Sequence, residues 1–193
     1  MSAFLLTQSM SFQASIINKD SAKDTVTAFV SLGANQPSFA GNETQTLQAA
    51  VPYLQELCAA PVQLSSFYIS DPVGCESGTE DFVNAVARLE VPIAVSPYDL
   101  LSRLHKIEDL FGRQRASGSE PNAPRPLDLD LISFDGVVVA DERLTLPHPR
   151  AAQRLFVLVP LTELCSELEL AASTPNLADL IHRLPKSPGL KKL

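Results

Sequence analysis

The chain has 193 residues, 45% hydrophobic and 19% charged, a balance that fits one soluble globular domain with a substantial core and excludes a disordered chain. Its net charge of -7 at pH 7 argues against general affinity for nucleic acid or an anionic membrane, and no apolar run nears the about eighteen residues that span a bilayer. Cys58, Cys75 and Cys165 stand far apart, in no metal-ligand or redox spacing, so a reducing, cytoplasmic setting is expected.

Residues 1–24 carry a short apolar patch at 4–6, no basic residue before it and no arginine anywhere, which argues against a secretory or transit peptide. They are read as a flexible tail before a single domain over 25–193. "TVTAFVSLGANQP" predicts a strand near 25–32 that breaks at Gly33. Leu47, Ala50, Val51, Leu54 and Leu57 then recur at helical spacing, with Pro52 expected to disturb the helix. "PVQLSSFYIS" (61–70) and "FVNAVARLEV" (82–91) are strand-like and joined by a long loop. The strongest helix starts at Ser96, Pro97 and Asp99, a capping box with proline in the first turn, shows an apolar face at Leu100, Leu101, Leu104, Ile107 and Phe111, and ends at Gly112.

"GRQRASGSEPNAPR" (112–125) reads as a loop, and "APRPLDLDLISFDG" (123–136) as a strand closed by a turn at Asp135 and Gly136, with the following valines expected to pair back onto it. Helical stretches follow near 150–165 and 176–184. The order β-α-β-β-α-β predicts an α+β fold with a ferredoxin-like βαββαβ core, αβα layers, and an additional C-terminal hairpin and helices.

In "LDLDL" the leucines point to one face of the strand, and Asp128 and Asp130 to the other, roughly 6.5 to 7 Å apart. An arbitrary D-x-D on an edge strand is a solvated polar face, but here positive charge is concentrated nearby. Eight of the fifteen Lys and Arg fall between Arg103 and Arg154, six of them arginines after Gly112. Arginine suits bidentate contact with phosphate, and Mg²⁺ takes one or two carboxylates completed by water and substrate phosphates. The D-x-D therefore suits a metal–phosphate site. Arg113, Arg115, Arg125, Arg143, His148, Arg150 and Arg154 are each readable as surface groups, and together as neutralisers of a polyphosphate. No Walker loop or Gly-rich dinucleotide fingerprint is present, so a nucleotide would be held by metal and side chains. Spacing alone reads Glu108 as an exposed helix carboxylate.

Six stretches in order, "FVSLGANQ", "SSFYISDPVG", "DFVNAVARLE", "LLSRLHKIEDLFGRQR", "PRPLDLDLISFDG" and "RLTLPHPRAAQRLFVLVPLTEL", resemble the 6-hydroxymethyl-7,8-dihydropterin pyrophosphokinases of folate biosynthesis. The resemblance implies transfer of the β,γ-diphosphate of ATP to the hydroxymethyl group of the pterin, with release of AMP. It implies that Asp128 and Asp130 hold two Mg²⁺ ions, that Arg113, Arg125, His148 and Arg154 clamp phosphates, and that Glu108, Arg115, Arg143, Leu144 and Thr145 lie near the nucleotide. It further implies that Phe82 and Phe156 stack on the pterin, that Asn84 meets its edge, and that backbone near Ser70 and Val73 completes the slot. Read without it, the two phenylalanines are core aromatics. The chain departs from the family pattern in having no Trp before the "PR" of the loop and in Asp71, where the family commonly has proline. A homologue that binds nucleotide or pterin without catalysis is the alternative. The expected partners are small molecules, with neither nucleic acid nor membrane.

Overall fold

The computed structural model describes residues 24–72, 78–113, 124–168, 170, 176–185 and 189–193. Residues 1–23, Val73, Cys75 and Arg115, with the predictions made for them, lie outside that set. The described chain is a mixed α/β structure built on an antiparallel sheet with four α-helices. Its long central strand β1 (Thr25–Ala34) pairs on one side with β4 (Phe82–Pro92) and on the other with β5 (Asp128–Phe134). Beyond β4 come β2 (Gln63–Leu64) and β3 (Tyr68–Ser70), and β8 (Lys191–Lys192) adds to the free edge of β3. A separate ribbon joins β6 (Val139–Ala140) to β7 (Thr145–Leu146).

Period-two alternation gives the sheet two different faces. Val26, Ala28, Val30, Leu32 and Ala34 of β1, with Leu129 and Leu131 of β5, pack into a large apolar cluster with α1 (Glu43–Gln55) and α2 (Pro97–Leu110). Phe29, Val86 and Ile132 point the other way into a second cluster with α3 (Leu155–Thr162) and α4 (Leu177–Arg183). That second cover is shorter than the sheet, so Ser31, Gly33, Asn84, Asp128 and Asp130 at the far end of the same face line a pocket instead of a core.

Several expectations needed correction. β1 does not break at Gly33 but runs to Ala34, with Gly33 paired to both Asn84 and Asp128. Glycine there leaves the pocket floor without a side chain. Pro52 sits inside α1 without ending it, although it leaves the Gln48 carbonyl without its usual i+4 donor. Residues 61–70 form two short strands because the Ser65 hydroxyl accepts from the Val86 N–H at 2.9 Å, taking the place of a ladder carbonyl. The turn forms at Asp135 and Gly136, both at positive φ, but the valines do not return to β5, for Val139 pairs with Leu146. In α2 the predicted capping box is present: Ser96 Oγ accepts from Asp99 N–H, and the Asp99 carboxylate accepts from Ser96 N–H. Glu108 is buried, not exposed, because it falls one turn after Leu104 and two after Leu100, on the stripe that faces the sheet.

Candidate active site

The pocket lies where β1, β4 and β5 run out from under α3. Ser31 and Gly33 form its floor, Asp128 and Asp130 one side, Phe82, Asn84 and Ser70 the other, and Phe156 with Arg154 close it from α3. The sequence-predicted residues from β4, β5 and α3 thus converge on one cavity. A second concavity adjoins it through Asp130 and is lined by Arg143, Leu144, Thr145 and His148.

Each carboxylate of the D-x-D meets cations of its own. Asp128 is paired with Arg113 and, at 3.3 Å, with Arg125. Asp130 faces Arg154 at 3.6 Å and His148 Nε2 at 3.9 Å. Burial first, and then the Asp128 carboxylate, pushes the Asp130 carboxyl above the ordinary carboxylate range. The Asp130 side chain is 36% exposed, toward the two concavities that it lines. Burial also lowers the His148 imidazole, against the pull of Asp130. Its Nδ1 accepts from Arg150 N–H at 3.2 Å, which places the proton of the neutral ring on Nε2, toward Asp130.

Support for these groups comes from Glu108, which the resemblance placed near the site without a role, and from Asn35 and Asp141, which sequence reasoning missed. The Glu108 carboxylate, 1% exposed, accepts from the Leu129 N–H at 2.7 Å and also pairs with Arg113. One buried acid therefore anchors both the strand between the two aspartates and the arginine beside them. Asn35 grips Arg125 through two bonds, Oδ1 accepting from Arg125 N–H at 2.8 Å and its own N–H donating to Arg125 O at 3.2 Å. Arg125 Nε has no acceptor among the described residues and remains a donor for an anion. At the second concavity, Asp141 accepts from the N–H groups of Arg143 and Leu144 at 2.8 and 2.9 Å and from the Tyr98 hydroxyl, fixing the ribbon that carries Arg143. The apolar stripe of α2 held the signal for Glu108; nothing local to Asn35 or Asp141 pointed to their partners.

On the opposite wall, the Asn84 amide donates to Ser70 Oγ at 2.9 Å and to Phe82 O at 3.2 Å, while its Oδ1 lies over Gly33. Arg154 lies over the Phe156 ring at 5.3 Å from its centroid. The cavity thus joins a side rich in arginine to a side lined by Phe82, Phe156 and the Asn84 amide. Its donor set also fits magnesium. Two hard carboxylates face one pocket and a cation would relieve their mutual repulsion, although among the described residues no group of three or more His, Cys, Asp and Glu is gathered there.

The sequence between residues 29 and 166 matches the family model described as 7,8-dihydro-6-hydroxymethylpterin-pyrophosphokinase (HPPK). A 2-amino-4-hydroxy-6-hydroxymethyldihydropteridine pyrophosphokinase of Bacillus subtilis is 36% identical over 148 residues, which cover 76% of this chain and 83% of the relative. The enzyme of that name from Haemophilus influenzae is 38% identical over 149 residues, 77% of this chain and 87% of the relative. Among solved structures, Plasmodium falciparum HPPK-DHPS with pteroate superposes with a TM-score of 0.61 at 13% identity over 82% of this chain. This chain spans 44% of that longer one, and the likeness concerns the fold alone.

Proposed function

We propose roles for the pocket residues from the premise that this chain belongs to the 7,8-dihydro-6-hydroxymethylpterin-pyrophosphokinase family. The chain transfers the pyrophosphoryl group of ATP to 6-hydroxymethyl-7,8-dihydropterin, forming the pterin diphosphate and AMP, a step of folate biosynthesis. The observation that best supports the assignment of residues is the joining, in one cavity, of the D-x-D and its arginines to the slot between Phe82 and Phe156.

In this reading the pterin ring lies between Phe82 and Phe156 with its edge on Asn84, whose Oδ1 accepts from a ring or amino N–H, and backbone near Ser70 bounds the slot. The hydroxymethyl group then points toward Asp128 and Asp130. Arg113, Arg125 and Arg154 contact the phosphate oxygens of ATP, and His148 donates from Nε2. Arg143, Leu144 and Thr145, beyond Asp130, receive the nucleoside end. Asp128 and Asp130 would hold Mg²⁺, two ions by the family pattern, which would supply positive charge to the phosphate oxygens. The protein's own contribution is to align the acceptor hydroxyl with the β-phosphorus and to hold fixed positive charge where negative charge develops, without reorganisation at the moment of transfer. Glu108 and Asn35 act by positioning Arg113 and Arg125.

The strand order β5-β1-β4-β3, all antiparallel with α1 and α2 on one face and α3 and α4 on the other, supports assigning the core to the ferredoxin-like βαββαβ class with αβα layers.

Incubation with ATP, Mg²⁺ and 6-hydroxymethyl-7,8-dihydropterin, with nucleotides separated by chromatography, is expected to yield AMP and the pterin diphosphate. ADP as product, or no turnover, overturns the reading. Asp130→Ala is expected to lower turnover at least ~10²-fold by removing a metal ligand, and a near-normal rate would remove the D-x-D from the chemistry.

A further inference from the structure

We infer that the C-terminal segment docked on β3 determines how tightly the pterin is held, with Gly189 as a positioning residue for Asp71 at the rim of the slot. The inference rests on the pterin reading of that slot.

β8 pairs with β3 in the register Tyr68↔Lys192 and Ile69↔Lys191. Continued antiparallel by two residues, the same register sets Leu190 against Ser70 and Gly189 against Asp71, and Ser70 and Asp71 both line the slot. A Cβ at residue 189 would land on the Asp71 carboxyl group, so a side chain there requires that carboxyl to swing aside. Leu190 in turn lines a mostly apolar cavity behind Phe156, together with Leu184 and Pro185. Residue 189 therefore meets the rim of the slot at Asp71, and Leu190 shares a cavity with Phe156.

That stretch is tied down beyond its strand pairing. The Leu193 N–H donates to Phe67 O at 2.9 Å, and Lys192 Nζ donates to Glu163 Oε1 at 2.9 Å. Glu163 also accepts from the Ser66 N–H at 2.7 Å and from the Tyr68 hydroxyl at 2.6 Å, so the end of α3, the start of β3 and β8 share one carboxylate. With residues 191–193 held in this way, a methyl group at 189 is accommodated by moving the Asp71 carboxyl, and that movement falls at the Asp71 rim of the cavity rather than at Asp130 or the arginines.

The test compares the wild type, Gly189→Ala, Asp71→Ala and the double variant by AMP release and by fluorescence titration of pterin binding. Gly189→Ala is expected to raise the KM and Kd for the pterin about tenfold, with kcat and the KM for ATP within about twofold, the pattern of lost ground-state binding of one substrate. In the double variant the collision is gone, so its pterin constants should equal those of Asp71→Ala alone. If Gly189→Ala fails to fold, Asp71→Ala decides instead: a raised pterin KM with an unaltered ATP KM supports the inference. Unchanged pterin binding, a parallel rise in both KM values, or full additivity in the double variant overturns it while a wild type that releases AMP leaves the pyrophosphokinase reading standing. A wild type that releases no AMP overturns that reading and this inference with it.

Discussion

Glu108 offers the sharpest test of how the arginine side of the cavity is supported. Its carboxylate is 1% exposed and accepts from the backbone of Leu129 at 2.7 Å while pairing with Arg113. Glu108→Ala leaves the Leu129 N–H buried without an acceptor, at about 1–3 kcal/mol, and opens a small cavity. The loss of charge pairing costs less, because Arg113 keeps Asp128 and is itself 19% exposed. A loss near ~3 kcal/mol in a domain of this size corresponds to a fall in Tm of roughly 6–12 °C. Glu108→Gln retains an acceptor for Leu129 but not the charge opposite Arg113, so it should lose only ~1 kcal/mol, about 2–4 °C. Its turnover should still drop roughly tenfold as Arg113 loses one of its two anchors. Calorimetry and AMP release on both variants check the pair. Equal melting temperatures for the two variants, or a Glu108→Ala protein melting within about 2 °C of wild type, would refute the view that this acid satisfies the strand.

Two other predictions concern groups around the pocket. Burial raises the Glu163 carboxyl, but the Ser66 N–H, the Tyr68 hydroxyl and Lys192 outweigh it and bring the pKa from 4.5 to about 2. A carboxylate depressed in the folded state stabilises above its unfolded pKa, and that stability is lost as pH falls through the folded value. With its side chain 28% exposed, the full linkage value is reduced by solvent to about 1–2 kcal/mol. Urea unfolding should therefore show Glu163→Gln less stable than wild type by that amount at pH 6, with the gap closing between about pH 4.5 and 2; a gap independent of pH would contradict the assignment. Asp141→Ala frees the ribbon that carries Arg143 and Leu144 and should raise the KM for ATP about three- to tenfold while leaving pterin affinity unchanged, as steady-state kinetics with each substrate varied will show.

Much of the site was legible before the fold was known, for identifiable reasons. Alternation in "LDLDL" required Asp128 and Asp130 to share a face whichever strand they joined, because the side-chain period of a strand is two. The capping box at Ser96 and Asp99 and the stripe from Leu100 to Phe111 marked α2 through interactions within one or two turns. The same stripe placed Glu108 against the sheet, although spacing had been read the other way. Errors arose where a remote partner decided the outcome. The Val137–Val139 run had the composition to pair with β5 and instead supplied Val139 to Leu146. Residues 61–70 had strand composition throughout, yet the Ser65 hydroxyl interrupts them by bonding to β4.

By itself, then, the sequence determined the orientation of the two aspartates, the position and ends of α2, and a family pattern long enough to name the reaction. These depend on local periodicity, on capping, or on residue identities in order along the chain. Only the tertiary structure decided that α3 stops short of the far end of the sheet and leaves Ser31, Gly33 and Asn84 open as a pocket. Only it brought Glu108 under Leu129, Asn35 onto Arg125, and Gly189 against Asp71. Those pairings lie 21, 90 and 118 residues apart, as the residue numbers show. Contacts at such separations are chosen by the packing of whole elements, because the cost of closing the intervening chain is met by the burial of the sheet and not by the pair itself.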